Sequence, residues 1–432
     1  MSTRQPFLSE SYAGYEHRDI PQEDGELTHV GPGTPGGEYL RRYWQPVIYS
    51  HELTDLPVRT RILGENLVVF RDLSGQVGVL ELHCPHRGTS LEYGLVSEKG
   101  IRCCYHGWLF DVDGKILDTP GEPADSTLKD RLYHGAYPAE EHHGAVFVYM
   151  GPRGTVPPFP NFDSWSRPGY RILAGPRYDY PCNWLQIQEN IMDPAHTAFL
   201  HTIVSGAQFT EEFGVVPMLD YIETPLGMAY IASRRVGDNV WVRMVETISP
   251  NVNQVCPIWE NGRKEHGFSG SMVTRWVVPR DDENTMQVEF RYISEVDDGF
   301  PETPQWWSEG VMIPGQMPEG ATSEQRQRQP GDFDAQVGQR SIARHGLEHL
   351  ATTDRGVTLF RQDIRRGIQA VMEGREPEGL LIQEWDVIPT YANNTVLQVP
   401  KASSEAEDEI LLKDIGRKIA EDYVNNPQSI AS

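Results

Sequence analysis

The stretch His83-Cys84-Pro85-His86-Arg87-Gly88, answered by Arg102-Cys103-Cys104-Tyr105-His106-Gly107-Trp108, decides how the first third of the chain folds. Reduced to metal-ligating types it reads Cys84-x-His86, sixteen residues, then Cys103-x-x-His106. Two mixed thiol–imidazole pairs on neighbouring loops suit a [2Fe–2S] cluster, with thiolates on one iron and imidazoles on the other. Neutral imidazoles in place of two thiolates remove negative charge, which raises the potential of such a cluster to roughly −150 to +300 mV. A structural zinc site is the competing reading. Zinc fingers, however, pair cysteine with cysteine and histidine with histidine, whereas each pair here is mixed. Only Cys103 gives the Cys-x-x-His spacing, so Cys104 and His83 stand outside the pattern.

Working outward, strand-like runs at 60–70, 77–82, 100–110 and 145–150 are broken by Gly and Pro, with turn signals at Ser74-Gly75 and Asp113-Gly114. This half reads as a small all-β domain. The proline-rich stretch 151–160 continues neither sheet nor helix and is the linker candidate. Beyond it, 228–236 and 240–248 flank Gly237-Asp238-Asn239, and 272–278 and 285–293 flank the polar turn 280–284. Helical spacing follows at Val357, Phe360, Ile364, Ile368 and Val371, then at Leu411, Ile415, Ile419 and Tyr423. Hairpins with separate helices predict an α+β second domain. Two domains also suit 432 residues, since single cores stop growing near about 250–300.

A second cluster lies past the linker: Gln188-Glu189-Asn190-Ile191-Met192-Asp193-Pro194-Ala195-His196, then His201. Two histidines near acidic residues suit a 2-His-1-carboxylate iron site with positions left open for O2. Incidental histidines on a buried helix are the plain alternative. His196 and His201 are five apart, roughly 140° around an ideal helix. The sequence therefore predicts irregular helix geometry here, from Pro194 or a π-type turn.

On these two motifs, in this order, the chain resembles the catalytic (alpha) subunits of Rieske non-haem iron ring-hydroxylating oxygenases. Gly31-Pro-Gly-Thr-Pro-Gly36, 41–46 and the segment from Asp354 to Glu378 resemble the phthalate dioxygenase-like branch. The resemblance implies an N-terminal arm at 1–40 and an all-β Rieske domain at 41–150. A linker at 151–165 then leads to an α+β catalytic domain at 166–432, with an antiparallel sheet and helices carrying mononuclear iron. It implies that Cys84 and Cys103 bind one cluster iron and His86 and His106 the other, and that His196 and His201 bind Fe(II). Asn190 and Asp193 are the catalytic candidates it marks, Asp193 bridging His196 to His106 of a neighbouring subunit, which demands an oligomer, and the family form expected is a homotrimer or a stacked pair of trimers. Counting back from Glu348-His349-Leu350 favours Asp332 over Asp334 as third iron ligand. Val337 departs from the Glu the family places five residues after that ligand.

The branch implies an aromatic carboxylate substrate, O2, and an NAD(P)H-dependent flavin and ferredoxin reductase. Hydroxylation would proceed by cis-dihydroxylation, with monooxygenation or O-demethylation as the alternative. Arg234, Arg235 and Arg243 lie in paired strands; alternation sends Arg234 and Arg235 to opposite faces, and Arg243 is the candidate for a substrate carboxylate. Charge fits a protein that avoids polyanions: 38 Lys and Arg against 62 Asp and Glu give −24, which argues against nucleic acid and anionic membrane. Five cysteines suggest thiols or ligands, not a disulfide framework. The N-terminus lacks the apolar core of a signal peptide, so a cytoplasmic location is expected.

Overall fold

Glycine placement sets the first half. The computed structural model of the chain describes residues 8, 10–16, 22–206, 208–259, 267–294, 321–377, 380 and 387–426. The start of the expected N-terminal arm and Glu378 lie outside the described residues. The run 60–70, expected as one strand, is a hairpin: Val58–Ile62 pairs with Glu65–Arg71 around Leu63 and Gly64, both at positive φ. Gly64 takes that conformation without steric cost. Val77–Glu81 and Ala136–Tyr137 complete a four-stranded antiparallel sheet. A second four-stranded sheet splits the run 100–110 into Ile101–Arg102 and Leu109–Phe110, leaving 103–108 as a loop. Val68, Phe70, Leu80, Leu82, Leu91, Ile101, Phe110 and Ile116 form a small core that includes Cys84 and Cys103. A three-stranded sheet joins Gln45–Tyr49, Ala139–His142 and Ala145–Val148. Its buried residues share one core with the second half, so the two halves pack as a unit.

The second half is built on a nine-stranded antiparallel sheet. The expected hairpins are there, as Gly227–Val236 with Asn239–Ile248 and Val273–Pro279 with Thr285–Ser294. Alternation gives the first hairpin two different faces. Ala229, Ile231, Val240, Val242 and Met244 pack under the C-terminal helix Glu405–Asn425, while Tyr230, Arg234, Trp241 and Arg243 occupy the opposite face. Against that opposite side lie helix α1 (Trp184–Ile191), helix α2 (Asp332–Val337) and the long helix α3 (Arg355–Met372). Helix α3 follows the expected stripe, burying Val357, Phe360, Ile364 and Ile368. Among the described residues, no helix is long and apolar enough to cross a membrane.

The C-terminal helix keeps the expected side toward the sheet, with Tyr423 buried and Ile415 and Ile419 packed partly buried against that core, and its other fully buried positions are Leu412, Gly416 and Ala420. At Gly416 a Cβ would lie 2.2 Å from Ser233 Oγ, so the small residues bring this helix close to the sheet. Asp354 holds the N-cap position of helix α3 without a side-chain bond into the helix. Its carboxylate accepts instead from the Ala351 backbone N–H at 2.7 Å.

Candidate metal centres

The first centre is two copies of one loop. The backbone N–H of Gly88 donates to Cys84 O at 2.8 Å, and that of Cys84 to Thr89 O at 2.9 Å. Gly107 donates to Cys103 O at 3.0 Å, and Cys103 to Trp108 O at 2.8 Å. Both turns need positive φ at their fourth step, 77° at Gly88 and 76° at Gly107, which only glycine adopts freely. The motif reading passed over these glycines, although the repeated Cys-x-x-x-Gly was visible. The loops bury Cys84 and Cys103 at 3% exposure and bring the His86 and His106 rings to 4.4 Å. Trp108 stacks on His86 at 4.8 Å, and Tyr105 lies 3.8 Å from His106.

Burial raises the Cys84 thiol to about 11, Cys103 adds to the rise, and the backbone N–H groups of His86 and Arg87 oppose it. Desolvation, then His86 and Arg87, hold His106 below the usual imidazole range. The donor set is therefore two adjoining buried thiols and two adjoining imidazoles on converging loops, which fits a [2Fe–2S] cluster. His83 pairs with Glu81 at 3.1 Å and Cys104 is exposed, so both stand apart.

The second centre begins at helix α1, capped by Asn183, whose side chain accepts from Leu185 N–H. Past Pro194 the chain resumes as a helical turn, His196–Ala198, and widens into a π-helix, Phe199–Val204. The expected irregularity is present, and it solves the five-residue spacing by aligning position i with i+5. His196 Nε2 lies 3.5 Å from Asp332 Oδ1, and His201 Nε2 lies 3.2 Å from the same oxygen. One ligand atom from each of the three residues falls within 4.8 Å of the others. Donors at about 2.1 Å from one ion and at right angles to each other lie about 3 Å apart, so this trio fits a facial triad. Asp334 is not in the group; it pairs with Arg326 and accepts from Gly331 N–H at 3.1 Å.

Charge points the same way. Burial opposes ionisation of Asp332, but His201 and His196 hold its carboxyl well below the usual range. Burial also opposes charge on His196, yet Asp193 and Asp332 prevail and push it up to about 10. A buried carboxylate that attracts protons onto its neighbours is a site that favours a cation. Asn190 Nδ2 approaches Asp332 Oδ1 at 3.4 Å and His196 Nε2 at 3.5 Å. Asp193 Oδ2 lies 3.5 Å from His196 Nδ1, and its carboxylate is 29% exposed.

A cluster of packed aromatic rings adjoins this centre. Phe209 lies 5.1 Å from His201, Phe213 5.7 Å from Phe209, and Trp241 5.5 Å from Phe213. Arg234, 1% exposed, donates to Thr197 Oγ1 at 2.8 Å, one residue from His196, and stacks over Phe213 and Trp241. Arg243 donates to the Tyr230 hydroxyl and to Cys256 O at 3.2 Å. Arg235 points away and pairs with Asp408, as alternation requires. Among the described residues neither Arg234 nor Arg243 forms an ion pair, and Arg234 Nη1 is buried without a hydrogen-bond partner. Burial, eased by Tyr230 and deepened by Arg243, lowers the Arg234 guanidinium to about 10.

Comparison with known proteins places these features. Residues 43–133 match the Rieske [2Fe-2S] domain. The chain is 40% identical to the tert-butanol monooxygenase / tert-amyl alcohol desaturase oxygenase subunit of Aquincola tertiaricarbonis, over 96% of this chain and 93% of that one. It is 38% identical to the phenoxybenzoate dioxygenase alpha subunit of Ectopseudomonas oleovorans, over 90% of this chain and 95% of that one. The solved structure of dicamba monooxygenase bound to dicamba shares the fold, with a TM-score of 0.57 at 19% identity, covering 78% of this chain and 99% of that one.

Proposed function

Since the chain belongs to the Rieske non-haem iron oxygenases, we propose that it is the oxygenase component of a multicomponent system that hydroxylates an aromatic carboxylate by cis-dihydroxylation. The observation that carries this reading is the convergence of His196, His201 and Asp332 beside packed aromatic rings and two buried arginines that form no ion pair among the described residues. A bound [2Fe–2S] cluster supplies single electrons and a bound ferrous ion activates O2 beside the substrate. Cys84, Cys103, His86 and His106 are the residues to hold the cluster, and His196, His201 and Asp332 those to hold the iron. Asn190 steadies the Asp332 carboxylate, and Asp193 orients the His196 ring through Nδ1. Phe209, Phe213 and Trp241 exclude water and seat an aromatic ring. Arg243, with Arg234, supplies the positive charge that a substrate carboxylate answers.

Electrons would come from an NAD(P)H-dependent flavin and ferredoxin reductase. The chain would work in the cytoplasm as a homotrimer or a stacked pair of trimers. The second reading, monooxygenation or O-demethylation, is favoured by the likeness to a monooxygenase. Labelled O2 separates the two, since cis-dihydroxylation places both oxygen atoms in the product and monooxygenation places one.

The first experiment is metal analysis of anaerobically purified protein. About three irons and two sulfides per chain are expected, and zinc without sulfide would overturn the reading. Arg243→Gln should weaken binding of benzoate at least about tenfold, the scale of one charged hydrogen bond, and leave benzamide unchanged. Unchanged benzoate affinity removes Arg243 from the substrate site.

A further inference from the structure

We propose that Gln208 is a positioning residue for the mononuclear iron: its side-chain amide fixes the tautomer of His201 and ties that ring to the backbone that delivers Asp332. The inference rests on His201 and Asp332 being iron ligands.

The geometry forms a closed circuit. His201 Nδ1 lies 2.8 Å from Gln208 Oε1, and the Gln208 backbone N–H donates to His201 O at 2.9 Å. The other end of the same amide, Nε2, donates to Pro330 O at 3.2 Å. Ser205 Oγ donates to that carbonyl as well, at 2.7 Å. Two residues later stands Asp332, whose Oδ1 returns to His201 Nε2 at 3.2 Å. Ligands 131 positions apart (332 less 201) are thereby held together by one side chain.

The two contacts use both ends of the amide. Oε1 is an acceptor only, so it takes the proton of Nδ1–H and leaves the lone pair on Nε2, the atom facing Asp332. Nε2 of the amide must at the same time donate to a carbonyl. Glutamate keeps the acceptor and loses the donor; leucine loses both; asparagine is one methylene short of spanning ring and carbonyl. The two histidines also differ in their supports. His196 presents Nδ1 to the backbone carbonyl of Asp193, with the Asp193 carboxylate at 3.5 Å, whereas His201 presents it to a side-chain amide.

The test uses full-length protein with its cluster in place and the mononuclear iron removed by a chelator. Fe(II) affinity is read by competition against a chelator, and Co(II) in the same site gives a visible ligand-field spectrum. Gln208→Leu should bind Fe(II) about 10–100-fold more weakly and shift the Co(II) bands. Cluster absorption and the melting midpoint of the iron-free protein should stay unchanged. Gln208→Glu, which keeps the acceptor, should recover most of the affinity. Native Fe(II) affinity in Gln208→Leu overturns the proposal. So does equal loss in both variants with a lowered iron-free midpoint, which would mean loop packing. A native protein that takes up no Fe(II) would instead defeat the assignment of the site itself.

Discussion

At the scale of single residues, reading the chain by ligand chemistry has uneven reach. Cys84, His86, Cys103 and His106 are legible because a cluster constrains both residue type and spacing within one short stretch. Asp332 is harder, since the sequence contains many carboxylates; counting back from 348–350 favours it over Asp334, and the fold then brings Asp332, not Asp334, to the two histidines. Gln208 is harder still: nothing in an isolated glutamine signals a hydrogen bond to a histidine seven residues earlier. Glu246 is a further case, 1% exposed in the middle of a strand and accepting from the Tyr391 backbone N–H at 2.8 Å. Burial raises its carboxyl from 4.5 to about 8, against the pull of hydrogen bonds from Tyr391 and Thr224. Between those values the folded protein keeps a proton that the unfolded chain releases, so this group lowers stability as pH rises through the window. Glu246→Gln removes that penalty and still accepts the Tyr391 bond. Its melting midpoint should match the native one at pH 4.5 and exceed it by about a few degrees at pH 8, as calorimetry at both values will show.

At the scale of elements, periodicity located the helices and hairpins but not the contacts that fix their register. Helix α3 was legible because its stripe is made of large apolar residues. The C-terminal helix packs on the expected side, yet its closest approach to the sheet falls at Gly416 and Ala420, which carry little hydrophobic signal. The run 60–70 looked continuous because Leu63, an apolar residue, occupies a turn at positive φ. Helix α1 is held at the end that leads to His196 by a charged clamp that no local pattern reveals. Arg361 of helix α3 makes paired bonds to Glu189, 172 residues away, and to Glu348. Burial raises the Glu189 carboxyl and the Arg361 contact offsets that rise. Arg361→Met strands a buried carboxylate, and the loss should be on the order of 3–5 kcal/mol by denaturant unfolding. Adding Glu189→Gln should return part of that loss. A double variant no more stable than Arg361→Met alone would mean that Glu348, not Glu189, is the partner that matters.

At the scale of the whole molecule, the question is which cluster reduces which iron. The proposed assembly places His106 of one chain against Asp193 of its neighbour, and the surfaces suit that arrangement. Tyr105, next to His106, is 56% exposed, and on the other side Phe199, Ile203 and Val204 of the π-helix are exposed beside the half-buried Asp193. Exposed apolar side chains of this size are what a face covered by a neighbouring chain would present. If electrons cross there, the two centres need not be intact in the same chain. Cys103→Ser should abolish the cluster and His201→Ala the mononuclear iron, and each variant alone should be inactive. Hybrid oligomers, co-expressed and isolated through two different tags, should regain a measurable share of turnover, because an intact cluster in one chain then faces an intact iron in the next. Adding Asp193→Ala to the chain with the intact iron should erase that regained share while both metal contents stay as they were. Hybrids with no turnover would place the electron path within a single chain and remove the reason for a ring; hybrids indifferent to Asp193 would keep the ring and reject the bridge.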